Sequence, residues 1–232
     1  MEDTADMGSW TIIDELEMRA LPNINDQDLC FYYLNRTSGG FSASVANDLI
    51  DDFKKDVARF RNNSYVMGYK QRAIKTIAEA LSNFVVDTLG SALAAGQSVS
   101  LVPMPTSLPP DHPDYDDRLV RLCELASNHD GVRVDDVLHA RAAMVKSHLG
   151  GTRVPEIIAR NIEFDGFPTA PDYAILVDDV LTTGAHYAAC RDIIRRSPKN
   201  RPAALIGAFL CIHRSDYVNY EDYGIPTDKW RP

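Results

Sequence analysis

Asp178, Asp179, Thr182, Thr183 and Gly184 lie within ten residues of one another in ILVDDVLTTGAHY, residues 175–187. Two adjacent carboxylates accept hydrogen bonds and suit the vicinal hydroxyls of a sugar. The threonines and the glycine suit the opposite charge. A helix N-terminus exposes unpaired amides and partial positive charge, which attract phosphate, and glycine lets the backbone come close. The acids would repel that phosphate. The spacing therefore predicts a two-ended cradle, with a diol at Asp178 and Asp179 and a phosphate at Thr182, Thr183 and Gly184. Val180 and Leu181 join the two ends, and Ala185 opens the helix. A plain strand–turn–helix connection is the alternative, with Thr183 as the helix cap. It leaves the acid pair unexplained.

Such a cradle needs a strand before it and a helix after it. Residues 173–178 read as a buried strand and 184–196 as a helix, which puts the acids at the strand's carboxyl end, where open α/β sheets bind ligands. SVSLVPMP at 98–105, VRVDDVL at 132–138 and AALIGAFLCI at 203–212 read as further strands. Helical spacing of apolar residues predicts helices over 44–61 (Val45, Leu49, Phe53, Val57, Phe60), 69–95, 114–128 and 155–162. Residues 139–154 show no steady period and hold a Gly-Gly pair, so they are expected to form a long loop, a type that often carries function. Residues 1–28 are expected to be a surface arm. Alternating strands and helices imply an α/β fold with a mostly parallel sheet. The expected division is an N-terminal arm and helical part over 1–96, packing on a core over 97–232.

Composition narrows the partners. The chain has 232 residues, 45% of them hydrophobic, and a formal charge of −9. That balance argues against duplex nucleic acid, whose binding needs clustered cations. Cys30, Cys123, Cys190 and Cys211 form no CxxC pair, so a zinc site is not expected. The acidic start lacks a signal-peptide pattern, and no apolar run reaches membrane-spanning length. The expectation is a cytoplasmic protein with no membrane partner.

ILVDDVLTTGAHY resembles the signature with which type I phosphoribosyltransferases bind 5-phosphoribosyl 1-pyrophosphate (PRPP). LIDDFKK at 49–55, VPMP at 102–105 and ARNIEF at 159–164 follow the order found in the ComF-like, competence-associated members. The resemblance covers about 45–215, and LPPDHPDYDDRL at 108–119 departs from it. Where the ComF-like pattern has Arg-Gly-Phe-Asn-Gln, this chain is rich in acid.

The resemblance implies a type I phosphoribosyltransferase-like core and transfer of ribose 5-phosphate from PRPP to a nitrogenous acceptor such as a nucleobase. Asp178, Asp179 and Lys146 would then be catalytic. Val180 to Ala185 would bind substrate, with Pro105, Thr106 and Ser107 at the pyrophosphate. Arg141, Lys146 and Arg153 of the 139–154 loop would neutralise the departing pyrophosphate, with Lys146 preferred for its place beside Ser147 and His148. Mg²⁺ would be held through substrate oxygens, with no dedicated protein site. His186 reads as a surface or packing residue. Arg160 and Asn161 match the end of a family motif, with closure of a helix as the alternative. Lys54 and Lys55 read as solvated cations, with reach to the ligand from a hood as the alternative. One of Tyr217, Tyr220, Tyr223 and Trp230 could stack on a base. A homodimer or a partner protein is compatible with all of this. The acidic departure keeps two other classes open: a non-catalytic PRPP or nucleotide sensor, and a structural subunit that kept only the fold.

Overall fold

The computed structural model describes residues 8–36, 44–144, 152–198 and 200–213. Six strands form its central sheet. In spatial order they are β1 (Thr11–Ile12), β2 (Leu29–Arg36), β8 (Ala204–His213), β7 (Tyr173–Leu181), β3 (Val99–Pro103) and β4 (Val132–Val134). β1 runs antiparallel to β2, and every other neighbouring pair is parallel. β8 and the first half of β7 are long apolar runs, because both faces of a parallel sheet are covered.

Side chains alternate between faces along a strand, and two buried clusters follow. Ile175 and Val177 of β7 face one cluster with helices α2 (Val45–Phe53), α4 (Ser64–Ala94) and α5 (Arg118–Ala126). Ala174 and Leu176 face the other, with α6 (Pro155–Arg160), α7 (Ala185–Arg196) and the N-terminal Ile13, Leu21 and Ile24. α4 buries Ile74, Ile77, Leu81 and Phe84 along one stripe, each such side chain contributing about 1.5–3 kcal/mol.

Several expectations change. The expected surface arm is packed: Ile13, Leu21 and Ile24 are buried, and Asp14 opens a short helix α1 (Glu15–Met18) with a capping box. β2, which no periodicity had marked, lies between β1 and β8, so the sheet draws on both sides of the expected boundary near 96. The helix expected over 44–61 breaks into α2 and α3 (Val57–Phe60), because Asp56 adopts an extended backbone and caps the second piece through the Arg59 amide. The strand expected over 132–138 ends at Val134. A separate strand β5 (Leu138–Ala140) pairs antiparallel with β6 (Ile162–Phe164), so the expected long loop begins inside a strand. All four cysteines are buried and free, and burial pushes the Cys30 and Cys211 thiols up to about 12. Among the described residues, no helix is long and apolar enough to cross a membrane.

Candidate functional site

α5, which follows β3, covers one face of the sheet, and α7, which follows β7, covers the other. The winding of the sheet therefore reverses between β3 and β7, which lead outward to β4 and to β8 respectively. In open α/β sheets ligands bind at such a switch point, beyond the carboxyl ends of the strands. β3 stays paired to β7 only as far as Pro103 opposite Val177, with the Met104 amide donating to the Val177 carbonyl at 2.9 Å. β7 continues beside β8 to Leu181. Asp178 and Asp179 thus lie inside the strand rather than past its end, on the stretch whose β3 side is no longer paired.

Strand alternation separates the two acids. Asp179 points to the face of α2 and α5. Its carboxylate takes the Arg118 guanidinium at 2.6 Å and the Lys54 ammonium at 3.2 Å. Asp178 points to the face of α7, where its Oδ2 lies 3.0 Å from His186 Nδ1 and its Oδ1 accepts from the Asp179 amide at 2.8 Å. Both residues are buried. The sequence expectation had both acids open to one diol. Each already has a protein partner, because consecutive residues of a strand cannot face the same way.

The Asp179 contact extends into the interior. Arg118 also meets Asp116 at 2.8 Å, and Asp116 meets Lys70 at 2.7 Å. Lys70, fully buried, donates to the Phe53 and Lys55 carbonyls at 3.0 and 2.9 Å. Three cations (Lys54, Lys70, Arg118) thus face two carboxylates (Asp116, Asp179). Burial opposes the charge on Asp179, but Lys54 and Arg118 outweigh it and hold the carboxyl well below the usual carboxylate range. Burial likewise opposes charge on His186, and Asp178 outweighs it, so the imidazole protonates more readily than a free one.

The turn leads from β7 into α7 where the spacing places a strand and a helix. Gly184 adopts the left-handed region at φ 75° as the residue before α7. The Thr183 hydroxyl accepts weakly from the Ala185 amide at 3.4 Å. Thr182 is exposed and Thr183 half-buried. The N-terminal segment closes over this turn: the Asn23 side-chain amide donates to the Thr183 carbonyl at 2.9 Å. A Cβ on Gly184 would stand 2.8 Å from two carbons of Ile24. Gly184→Ala is expected to cost about 1–2 kcal/mol from the backbone alone, with a further loss as Ile24 is pushed aside. Urea denaturation measures the total, and a double-mutant cycle with Ile24→Ala isolates the clash. An unchanged midpoint in Gly184→Ala would rule out this packing.

The other predicted residues divide. Pro105 is buried at the exit of β3, Thr106 donates to the Leu108 carbonyl at 3.2 Å, and the Met144 amide donates to the Ser107 carbonyl at 2.8 Å. Arg141 and Arg153 are exposed, and Arg141 lies 3.7 Å from Glu163 on β6. Asn161 caps α6 and donates to the Ala142 carbonyl at 2.8 Å. Lys55 pairs with Asp52. Lys146, Ser147, His148, Tyr217, Tyr220, Tyr223 and Trp230 lie outside the described residues. Among the described residues, no three His, Cys, Asp or Glu side chains gather as a metal ion would require. A cavity of about 420 Å³ lies elsewhere, between the N-terminal arm and α4, lined by Trp10, Tyr33, Phe84 and Asp87 among others.

Sequence reasoning missed Arg118, Asp116 and Lys70. The run DYDDRL was visible, yet it read only as a surplus of acid. The contacts that explain it span 46 and 61 positions along the chain, and nothing local marks them. His186 was read as packing, and its pairing with Asp178 follows from the eight-residue return of α7 over β7. No protein-family model and no curated protein matches this chain.

Proposed function

We propose that the crevice between β3 and β7 binds a ribose 5-phosphate ligand, PRPP foremost, and that the protein is of the phosphoribosyltransferase type. One observation carries this reading. At the switch point of the sheet, an acid pair is followed by a Thr-Thr-Gly turn whose left-handed glycine leads into a twelve-residue helix. The exposed Thr182 hydroxyl and the first amides of α7 suit the 5-phosphate. A carboxylate has about four acceptor positions, so Asp178 and Asp179 can each keep a protein partner and still accept from a ribose hydroxyl. The surplus cation of the Lys54–Asp179–Arg118–Asp116–Lys70 network suits a pyrophosphate.

In the transfer, the bond between ribose C1 and the pyrophosphate oxygen breaks, positive charge builds on the ring, and an acceptor nitrogen bonds to C1 and loses a proton. Positioning is the chain's main contribution. Mg²⁺ would offset the charge on the departing pyrophosphate. The protein's own carboxylates here are engaged by Arg118, Lys54 and His186, so the ion would be held through the oxygens of the ligand and water, as Mg²⁺ favours.

A second reading, the non-catalytic PRPP or nucleotide sensor, draws on the same network. Lys54 and Arg118 offset the Asp179 charge that would otherwise steady a cationic transition state. Calorimetry with PRPP and Mg²⁺ is expected to show saturable binding. Pyrophosphate release with a panel of bases then separates the enzyme from the sensor. Absence of PRPP binding would overturn both.

A further inference from the structure

We propose that the cavity between the N-terminal arm and α4 binds a small organic cation with an alkylated ammonium head. Its volume of about 420 Å³ falls in the range of small-molecule sites. Four aromatic rings line it: Trp10 of the arm, Phe31 and Tyr33 of β2, and Phe84 of α4. They form one connected group, with ring centroids 4.5 Å apart for Trp10 and Phe84, 5.0 Å for Phe31 and Phe84, and 5.4 Å for Trp10 and Tyr33. The Trp10 indole N–H donates to the Ala80 carbonyl at 2.9 Å, so the ring is pinned and has no polar edge left to offer. The arm also lies close on β2. Gly8 sits at φ 96°, and a Cβ there would stand 2.7 Å from Leu34 Cδ2 and 2.8 Å from the Tyr33 carbonyl oxygen. The wall that carries Trp10 is thus held against the sheet.

Charge decides the class of ligand. Among the described residues lining the cavity, Asp87 alone is charged. It follows Phe84 by three positions, so carboxylate and ring are neighbours on the surface of α4. The other α4 residues three or four positions from it are Asn83, Gly90 and Ser91, none of them a cation. Asp87 has no ion-pair partner among the described residues. An anionic ligand would meet that carboxylate with no cation to offset it. An uncharged apolar ligand would strip water from it and return nothing. A cation answers both halves of the lining: the ring quadrupoles attract it, and so does the carboxylate. A primary ammonium has three N–H donors to satisfy, which ring faces serve poorly, whereas an alkylated head has few or none. The formal charge of −9 adds a long-range pull on cations.

The chain holds two tryptophans, Trp10 and Trp230, so Trp230→Phe makes Trp10 emission a local readout, and calorimetry on the wild-type chain repeats each titration. Choline should bind saturably and change that emission. Its neutral carbon analogue, with a tert-butyl group in place of trimethylammonium, should bind about tenfold more weakly, and ethanolamine should also bind more weakly than choline. Asp87→Asn changes an exposed side chain and keeps the rings, so the fold should stand while choline binds about threefold to fivefold more weakly and the neutral analogue is unaffected. Added salt should weaken choline and spare the neutral analogue. Equal affinity for choline and its analogue, or an Asp87→Asn curve that superimposes on its parent, would overturn the cation assignment. Tighter binding of ethanolamine would overturn the alkylated head, and no saturable response to any of the three would overturn the site. The ribose phosphate reading concerns other residues, and PRPP titration of Asp87→Asn shows that the two stand or fall separately.

Discussion

Replacing Lys70 with Met is expected to lower the unfolding free energy by about 3–5 kcal/mol, the cost of leaving one partner of a buried ion pair alone. Lys70 is fully buried on α4, and its ammonium meets Asp116 and the Phe53 and Lys55 carbonyls. Methionine fills the space but donates nothing. Two carbonyls at the end of α2 and one carboxylate lose their donor, and each is costly to leave unsatisfied. Burial depresses the Lys70 pKa and Asp116 resists that depression, which marks how closely the pair is balanced. The exposed pair of Arg61 and Asp114 provides the contrast: both side chains are more than two-fifths accessible, and Arg61→Ala should cost under about 1 kcal/mol. Urea titration of the two variants reads the difference. A Lys70→Met chain within 1 kcal/mol of wild type would mean that the network is not what joins α2, α4 and α5.

The second large effect concerns Asp179. If Asp178 and Asp179 served only as a diol clamp, Asp178→Asn with Asp179→Asn would abolish PRPP binding and spare the fold. The ion pairs change the second half of that expectation. Asp179→Asn should remove PRPP binding and also lower stability by about 3–5 kcal/mol, because Arg118 and Lys54 lose their carboxylate inside the sheet's rim. Asp178→Asn should bind PRPP more weakly but unfold near the wild-type midpoint, since asparagine can still accept from the Asp179 amide. The sign with pH follows from the depressed Asp179 pKa. A carboxyl whose folded value lies below its unfolded value of about 3.9 stabilises the fold above that value and stops doing so as pH falls. The deficit of Asp179→Asn should therefore be full at pH 7 and shrink below about pH 4. Calorimetric PRPP titration and urea denaturation at both pH values check it. Normal PRPP affinity in Asp179→Asn would remove that residue from the site.

Much of the framework could be read locally. The strands near 99–103, 173–181 and 204–213 and the helices 64–94, 118–126 and 185–196 carry their own periodicity, caps or apolar runs. β2 escaped notice because LCFYYLNR mixes aromatic and polar residues and shows a strand only when β8 is beside it. The 44–61 helix was overextended because apolar spacing continues past the point where Asp56 turns the backbone out.

The chain alone determined that an acid pair, a Thr-Thr-Gly turn and a helix start would follow one another, since those are nearest-neighbour facts of residue type. It did not mark Gly184 as left-handed, nor that Ile24 would fill the space a side chain there would need. Only the tertiary structure decided what the two acids face. Strand alternation sends Asp178 to His186 and Asp179 to Arg118 and Lys54, and those cations reach Asp179 from positions 61 and 125 residues away. Charge pairing acts through space and depends on burial, so the sheet order and the helices on each face set the partners, which spacing along the chain cannot specify.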